Sequence, residues 1–514
     1  MGSIVLLIVV FAILPLLYVI GYGLELSFDQ WVRLWDYRIP GLLLNTLSLA
    51  IIVAVISLVL GISSAWMVAR KSFTGRTLAI WLLLLPLTIP TYVFAHIYTT
   101  LLEEDGWLGS IWITLFNDAS SIPDITNVFG VGFILALAGF SYIFLLVRAS
   151  LSHSTKSLEE AALIQGVPRK SIFFKINLPL MRPAIAAGLA VIVLHVLSDF
   201  GAVSMLRYQT FTLSIYNQMS GRMDYNAAAG LSFVLILLSL SFLVLERFFR
   251  NRQRFYSGAQ NKKVVREQAS TAQQIFIWFW IGLIGLFSFV LPVMWMLHWS
   301  FDAWQQDLID SEFWGYCINS GIIAFASATI ALIVAFPIAF YHTRNHTFLS
   351  QSYLQLSSVG FALPGPVIAL GVLTFILAQL PFIYGSLAAL LIAMIIRFLP
   401  LSIQAQEASL QQLTPSIEEA GRVFGAGPIE NLRRVILPVV SGGMATAWVL
   451  VFIDALKELP ATLILRPTGF DTLPVRIWVE ASEEMLELAA PAALMLVIGT
   501  LPAIWIMRKS EQRT

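Results

Sequence analysis

The chain of 514 residues is 58% hydrophobic and 12% charged, with a mean hydropathy of +0.81. A soluble globule of that composition would leave too much apolar surface facing water, so the class is a polytopic membrane protein. The formal net charge of +1 gives no basis for binding nucleic acid, and the lone Cys317 excludes an intrachain disulfide and any multi-cysteine metal site.

Apolar runs of about 20 residues, the length a bilayer core demands, fall at 4–24, 42–69, 78–101, 128–149, 183–205 and 226–249. The first, Ile4–Leu24, lacks a basic leader and meets Glu25 with no small-residue cleavage site, so it reads as a retained span. A polar, basic stretch follows the sixth run, Arg247–Gln274, with no apolar periodicity to bury; it reads as a cytoplasmic linker, centred on 250–273. Six further runs lie at 274–298, 317–341, 353–379, 385–402, 440–465 and 488–507. The expectation is an all-α polytopic membrane protein of about twelve transmembrane helices, embedded in the lipid bilayer with both ends on one side.

Assigning that side to the cytoplasm places Arg70, Lys71, Arg76, the linker, Arg344 and Arg508-Lys509 inside, as the positive-inside rule requires. Acidic residues then collect outside: Glu103-Glu104-Asp105, Asp302, Asp307, Asp310, Glu312, Glu480, Glu483, Glu484 and Glu487.

Two polar islands interrupt the spans, SLEEAALIQGVPRKSIFFKINLP at 157–179 and SIEEAGRVFGAGPIENLRRVILP at 416–438. Ser157 with Glu160, and Ser416 with Glu419, form Ser-x-x-Glu capping boxes that predict a helix start. Gly166 and Gly425 are placed to end those helices in a left-handed residue, and Pro179 and Pro438 close the islands. Glu160 to Glu419, Gly166 to Gly425 and Pro179 to Pro438 are each 259 residues apart, an internal repeat. Upstream, Asn45 and Pro90 match Asn319 and Pro364 at 274, so the first half carries about fifteen extra residues, in the outer loop Leu101–Asn127. The halves, 1–249 and 274–514, share one orientation; the duplication is parallel, with a pathway expected between two six-helix lobes.

One island alone is compatible with a solvated helix-turn-helix. Two in register resemble the EAA loop of ABC importer permeases, which docks into the ATPase subunit. The resemblance implies that Glu160, Ala161, Ala162, Gly166, Pro179, Glu419, Ala420, Gly421, Gly425 and Pro438 couple two copies of a separate ABC ATPase to the spans. ATP and magnesium would belong to that partner, with no cofactor on this chain. Gly421 departs from the Glu-Ala-Ala pattern by a small-for-small change.

After each fifth run, SDFGAVSMLRYQTF at 198–211 and KELPATLILRPTGFDTL at 457–473 align Asp199 with Glu458 and Arg207 with Arg466 at the same 259 spacing. Charges near a spanning helix usually face a cavity or a partner, which makes these four candidate pathway residues. A local ion-pair cluster of Asp454, Lys457 and Glu458 on one helix face is the alternative. These stretches resemble the fused, two-lobed iron(III) importer permeases, over nearly the whole chain. That resemblance implies a bacterial inner-membrane subunit receiving ferric ion from a periplasmic iron(III)-binding protein and passing it inward by alternating access. EAA loops also occur in permeases for thiamine, polyamines and other solutes, which remain alternatives, as does an ion-coupled secondary transporter.

His342 and His346 lack an accompanying carboxylate in the sequence and read as a solvated helix end. Pro86, Pro90 and Pro364-Gly365-Pro366 interrupt the third spans, where a break either shapes a pathway or serves packing. No Gly-x-x-x-x-Gly-Lys-[Ser/Thr] loop occurs, so ATP hydrolysis is assigned to a partner.

Overall fold

The computed structural model of the chain describes residues 2–153, 162–251, 266–345, 347–411, 413–423, 425 and 427–511. Glu160, Ala161, the Ser157 cap and His346 therefore lie outside the described residues. Among the described residues nine helices are long and apolar enough to cross a membrane: Gly2–Leu24, Ile39–Arg70, Val128–Leu151, Phe173–Ser198, Tyr225–Val244, Thr271–Gln305, Ser311–Arg344, Leu387–Leu410 and Pro428–Leu456. The pair Arg76–Thr88 and Thr91–Phe116 makes a tenth, bent by 96° at its break. Shorter apolar helices, Gly365–Gln379 and Leu486–Pro502, stand where the sequence places the ninth and twelfth spans.

The fifth spans end earlier than their hydropathy suggests, at Ser198 and Leu456. The apolar residues beyond them fold as separate short helices, Gly201–Met205 and Pro460–Leu465. Hydropathy alone does not register a turn whose polar groups are satisfied internally.

Contacts divide the chain into two compact units, one of Met1–Ile39, Phe211–Ile236 and Trp299–Thr514, the other of Pro40–Thr210 and Leu237–His298. This division differs from that of the sequence repeat. The first span of each half belongs to the unit that holds most of the other half.

In the first unit the helix Ser311–Arg344 carries Ala324, Ala328, Ala331, Ala335 and Ala339, all fully buried at helical spacing. Lipid tails are as apolar as the helices themselves, so close backbone approach between small residues, not hydrophobic exclusion, drives this packing. The chain's first helix uses the same device. A Cβ on Gly371 would come within 2.5 Å of the Pro15 carbonyl oxygen, so the helices touch there backbone to backbone. Around that crossing, Phe375 packs edge-on against Phe11 and Tyr18, at centroid distances of 6.4 and 5.5 Å.

In the second unit the seventh span is held by polar bonds. Trp280 Nε1 donates to Ser63 Oγ and Trp278 Nε1 to the Thr74 carbonyl, both at 3.0 Å. The π turn Leu286–Val290 widens that span, and the Tyr98 hydroxyl donates to the carbonyl of Phe287 within it. At the end of the linker, Glu267–Gln268 pairs as a short parallel strand with Lys71–Ser72, and Lys71 Nζ lies 2.8 Å from Glu267 Oε2.

Because each unit draws on both halves, chain continuity through the linker is not what holds them. Residues 1–258 and 259–514, expressed as separate chains, are expected to co-purify from detergent as a stable pair. Halves that purify apart would show that the interchange of first spans carries little binding energy.

Candidate functional site

The second island begins with the helix Pro415–Val423. Ser416 therefore lies inside the first turn and does not cap it, which corrects the capping-box reading. Proline, with its fixed φ and no N–H to leave orphaned, favours the first helical position and moves the start to Pro415. Gly425 then turns the chain at φ +85°, and Gly166 does so at φ +77° in the first island. There, Gly166 N–H donates to the Leu163 carbonyl and Val167 N–H to that of Ala162, both at 3.0 Å, the paired bonds of a Schellman C-cap.

Pro179 and Pro438 do not end the islands. Each follows a π turn, Phe173–Asn177 or Leu432–Ile436, that feeds directly into the fifth span. Leu178 N–H donates to Phe173 O and Leu437 N–H to Leu432 O, five residues back, so the widened turn relieves the clash a proline ring makes with the preceding helical turn. The part of each island after its glycine turn, from Arg169 in one half and Pro428 in the other, thus runs without a break into the fifth span.

The Glu-Ala-Gly departure has a steric cause. A Cβ on Gly421 would fall 2.3 Å from Asn431 Oδ1, and Asn431 is buried. In the first island Ala162 occupies the matching position and is itself buried. Glu419 is exposed. So are two aliphatic side chains that sequence reasoning passed over, Ile164 at 86% and Val423 at 85%, at equivalent places in the repeat.

At the opposite end of the fifth spans lie the candidate pathway residues. Asp199 is buried, and both its oxygens are engaged: Oδ2 accepts from the Thr91 hydroxyl at 2.5 Å, Oδ1 from the N–H groups of Ala202 at 3.0 Å and Val203 at 3.3 Å. It caps the short helix Gly201–Met205 and ties it to the first residue after the Pro90 break. Glu458 does the same for Pro460–Leu465, its Oε1 accepting from Ala461 N–H at 3.2 Å. Its other oxygen lies 3.1 Å from Arg397 Nε, on the tenth span. Of the local cluster read from sequence, Asp454 and Lys457 come together at 3.9 Å, while Glu458 looks to Arg397. The repeat gives no sign of Arg397, since its counterpart is Ala138. A lone arginine within the apolar run Leu387–Leu410 was the available signal, since such a charge requires a partner.

The third spans break alike. A 3-10 turn, Leu85–Thr88 or Val359–Ala362, leads to an extended residue and a proline, Pro90 or Pro364, from which the next helix starts. The Ser141 hydroxyl donates to the Leu83 carbonyl at 2.7 Å, beside the first break. In the other unit, a Cβ on Gly365 would meet Arg397 and Pro460, so only glycine lets the broken helix approach the hairpin. The repeated asparagines fasten the loops that follow: Asn45 Nδ2 donates to the Gln209 carbonyl and Asn319 Nδ2 to that of Asp471, each at 3.0 Å.

The two arginines differ. Arg207 is exposed, with φ +52°, whereas Arg466 is half-buried and ion-paired with Asp471. His342 faces a carboxylate that its own segment does not contain, with Nε2 3.6 Å from Glu407 Oε1, so it is a bridged helix end and not a solvated one. Among the described residues no three His, Cys, Asp or Glu side chains are placed to hold a metal ion.

Removing one member of a buried ion pair strands the other. Arg397→Met is expected to cost about 3–5 kcal/mol, and the double change with Glu458→Met much less. Asp199→Ala, which orphans a hydroxyl and two N–H groups, is expected to cost about 1–3 kcal/mol. Thermal unfolding in detergent reads all three, and equal losses for Arg397→Met and the double variant would show that the pair is not coupled.

Comparison with known proteins matches these features to a family. The model for the binding-protein-dependent transport system inner membrane component matches twice, at residues 57–255 and 327–514. The Fe(3+)-transport system permease protein FbpB 2 of Haemophilus influenzae is 30% identical, over 96% of this chain and 95% of its own. The ferric transport system permease protein FbpB of Actinobacillus pleuropneumoniae is 25% identical, over 88% of this chain and 69% of its own. The sulfate transport system permease protein CysT of Escherichia coli is 26% identical, over 47% of this chain and 88% of its own. The chain therefore belongs to the inner-membrane components of binding-protein-dependent transport systems, as a multi-pass permease carrying the family domain twice.

Proposed function

We propose that this chain is the complete translocation unit of an ATP-driven importer that passes ferric iron from a periplasmic binding protein to the cytoplasm. The observation that carries the cargo is length. The ferric permeases match across both halves, whereas the sulfate permease matches less than half of the chain.

Two copies of a separate ATPase would dock on the islands, which face the cytoplasm in the orientation set by the basic residues, with both termini on that side. Exposed Ile164 and Val423 support this reading, because a solvent-facing aliphatic repeated at the same place in two loops marks a contact surface. Glu160 and Glu419, with Ala161, Ala162, Ala420 and Gly421, would complete the docked surface, while Gly166 and Gly425 shape it. Beyond each glycine turn, the helix that runs from Arg169 or Pro428 into the fifth span would give ATPase closure a mechanical route outward. There Asp199 and Glu458 would act as positioning residues, holding the hairpins that border the path against the broken third spans, while Arg207 and Arg466 stand at its outer rim. Translocation would proceed by alternating access, without any hydrolytic chemistry or cofactor on this chain.

Vesicles containing the chain, its ATPase and its binding protein are expected to take up radiolabelled ferric ion only when ATP and all three components are present, with no reduction by excess thiamine, putrescine or sulfate. Uptake of one of those solutes in place of iron would keep the permease and discard the cargo. Iron uptake indifferent to the ATPase would point to ion-coupled transport.

A further inference from the structure

The extra residues that the first half carries between its third and fourth spans build a cavity. After Leu102 the chain folds back closely, because Gly106 and Gly109 bear no Cβ to strike the carbonyl oxygens of Thr100 and Glu103. The helix Trp107–Phe116 follows and ends at Asn117 with φ +54°. Trp112 Nε1 donates to Ser121 Oγ at 3.0 Å, holding the next turn on that helix. Asn127 Oδ1 then caps the fourth span, accepting from the N–H groups of Phe129 at 2.9 Å and Gly130 at 3.0 Å. Between this loop and the spans lies a cavity of about 620 Å³, its mainly apolar wall including Tyr98, Ile111, Leu115, Phe129, Phe133 and Phe287.

Two features of the cavity point to its occupant. The first is depth, since Phe287 stands midway along the 35-residue helix Thr271–Gln305 and carries the cavity to the level of the bilayer interior. From Val131 to Leu145 of the fourth span Phe133 is the one exposed side chain, and Phe129, one turn earlier, is 70% exposed. Both line the cavity, so its mouth is continuous with the lipid-facing surface. Water does not settle in a space without polar partners, whereas a lipid tail needs none. The second feature is charge. Glu104, Asp105, Asp118 and Asp124 lie along the loop, and residues 77–147 hold no lysine or arginine. Asp124, the one acid in the cavity wall, accepts from the N–H and hydroxyl of Thr126 at 2.8 and 2.7 Å, bonds that hold its carboxyl below the usual carboxylate range and keep it charged.

We propose that this cavity binds an acyl chain of a phospholipid from the leaflet on the loop's side, and that its acidic rim selects a headgroup bearing a cationic amine over an anionic one. In the orientation given above this is the outer leaflet. Trp107 and Trp112 suit that level, where indole rings collect at membrane interfaces. The bound chain packs against Tyr98 and Phe287, the pair whose hydroxyl–carbonyl bond ties the third span to the π turn of the seventh. The second half joins its matching helices by residues 380–386 alone, so the site belongs to the first half.

The test places the full chain in vesicles of phosphatidylethanolamine and phosphatidylglycerol, doped with a trace of one or the other lipid carrying a photoreactive acyl chain, and maps the cross-linked peptides by mass spectrometry. The phosphatidylethanolamine probe is expected to label 98–134 at least fivefold more than the exposed segment around Leu44, and the phosphatidylglycerol probe to label both alike. Leu115→Trp and Ile111→Trp, two independent ways of filling the cavity, are each expected to lower labelling of 98–134 at least fivefold in chains that unfold at the wild-type temperature. Leu44→Trp is expected to leave it unchanged. Label spread evenly over the lipid-facing segments, or undiminished in a folded filled variant, would overturn the site. Equal enrichment by both probes would overturn the headgroup selection. Label in 98–134 that the binding protein displaces would assign the cavity to that protein and overturn the lipid.

Discussion

A helix broken inside a bilayer leaves backbone groups that no water can satisfy, and this chain breaks its third span in both halves. The rest of each half is arranged to make that break tolerable. A 3-10 turn and a proline shape it, a buried serine serves a carbonyl beside the first one, and the hairpin after the fifth span closes over the new helix start. The hairpin in turn depends on one carboxylate. Asp199 and Glu458 each cap the short helix that follows, and each reaches out of its hairpin, to Thr91 in one half and Arg397 in the other. Asp199 and Glu458, candidate path residues in the sequence, thus fasten their hairpins.

The halves solve one problem with different chemistry. Thr91 offers Asp199 a hydroxyl, while Glu458 meets the Arg397 guanidinium, for which Gly365 makes room. Such divergence is expected when a duplicated segment keeps its geometry and each copy drifts in its contacts. It also breaks the symmetry of the charges on the fifth spans, with His195 in one copy where the other has Asp454 and, three residues on, Lys457.

Much of this was legible in the sequence because a repeat was present to calibrate it. The two spacings, 259 and 274, located the islands, the broken spans and the hairpins, and structural features respect both: the π turns are 259 residues apart and the 3-10 turns 274. What was not legible depended on partners or on helix geometry. Hydropathy shows that Ile4–Leu24 spans the membrane but carries no sign that it packs against Gly365–Gln379, a choice made by Gly371 and Pro15. Pro179 and Pro438 look like stops, because a π turn that absorbs a proline leaves no compositional trace. The Ser416 cap lost to Pro415 by one residue of register. Arg397 went unnoticed because its counterpart is alanine, though its isolation among apolar residues was a signal in itself.

In the proposed mechanism both islands transmit the ATPase's work to the hairpins, through the helices that begin after each glycine turn. The decisive measurement is ATP-dependent ferric uptake, with the ATPase and binding protein present, after Glu160 and Glu419 are both replaced with alanine. Uptake is expected to fall to background while the chain remains folded in the membrane. Coupled uptake that survives the double replacement would contradict it.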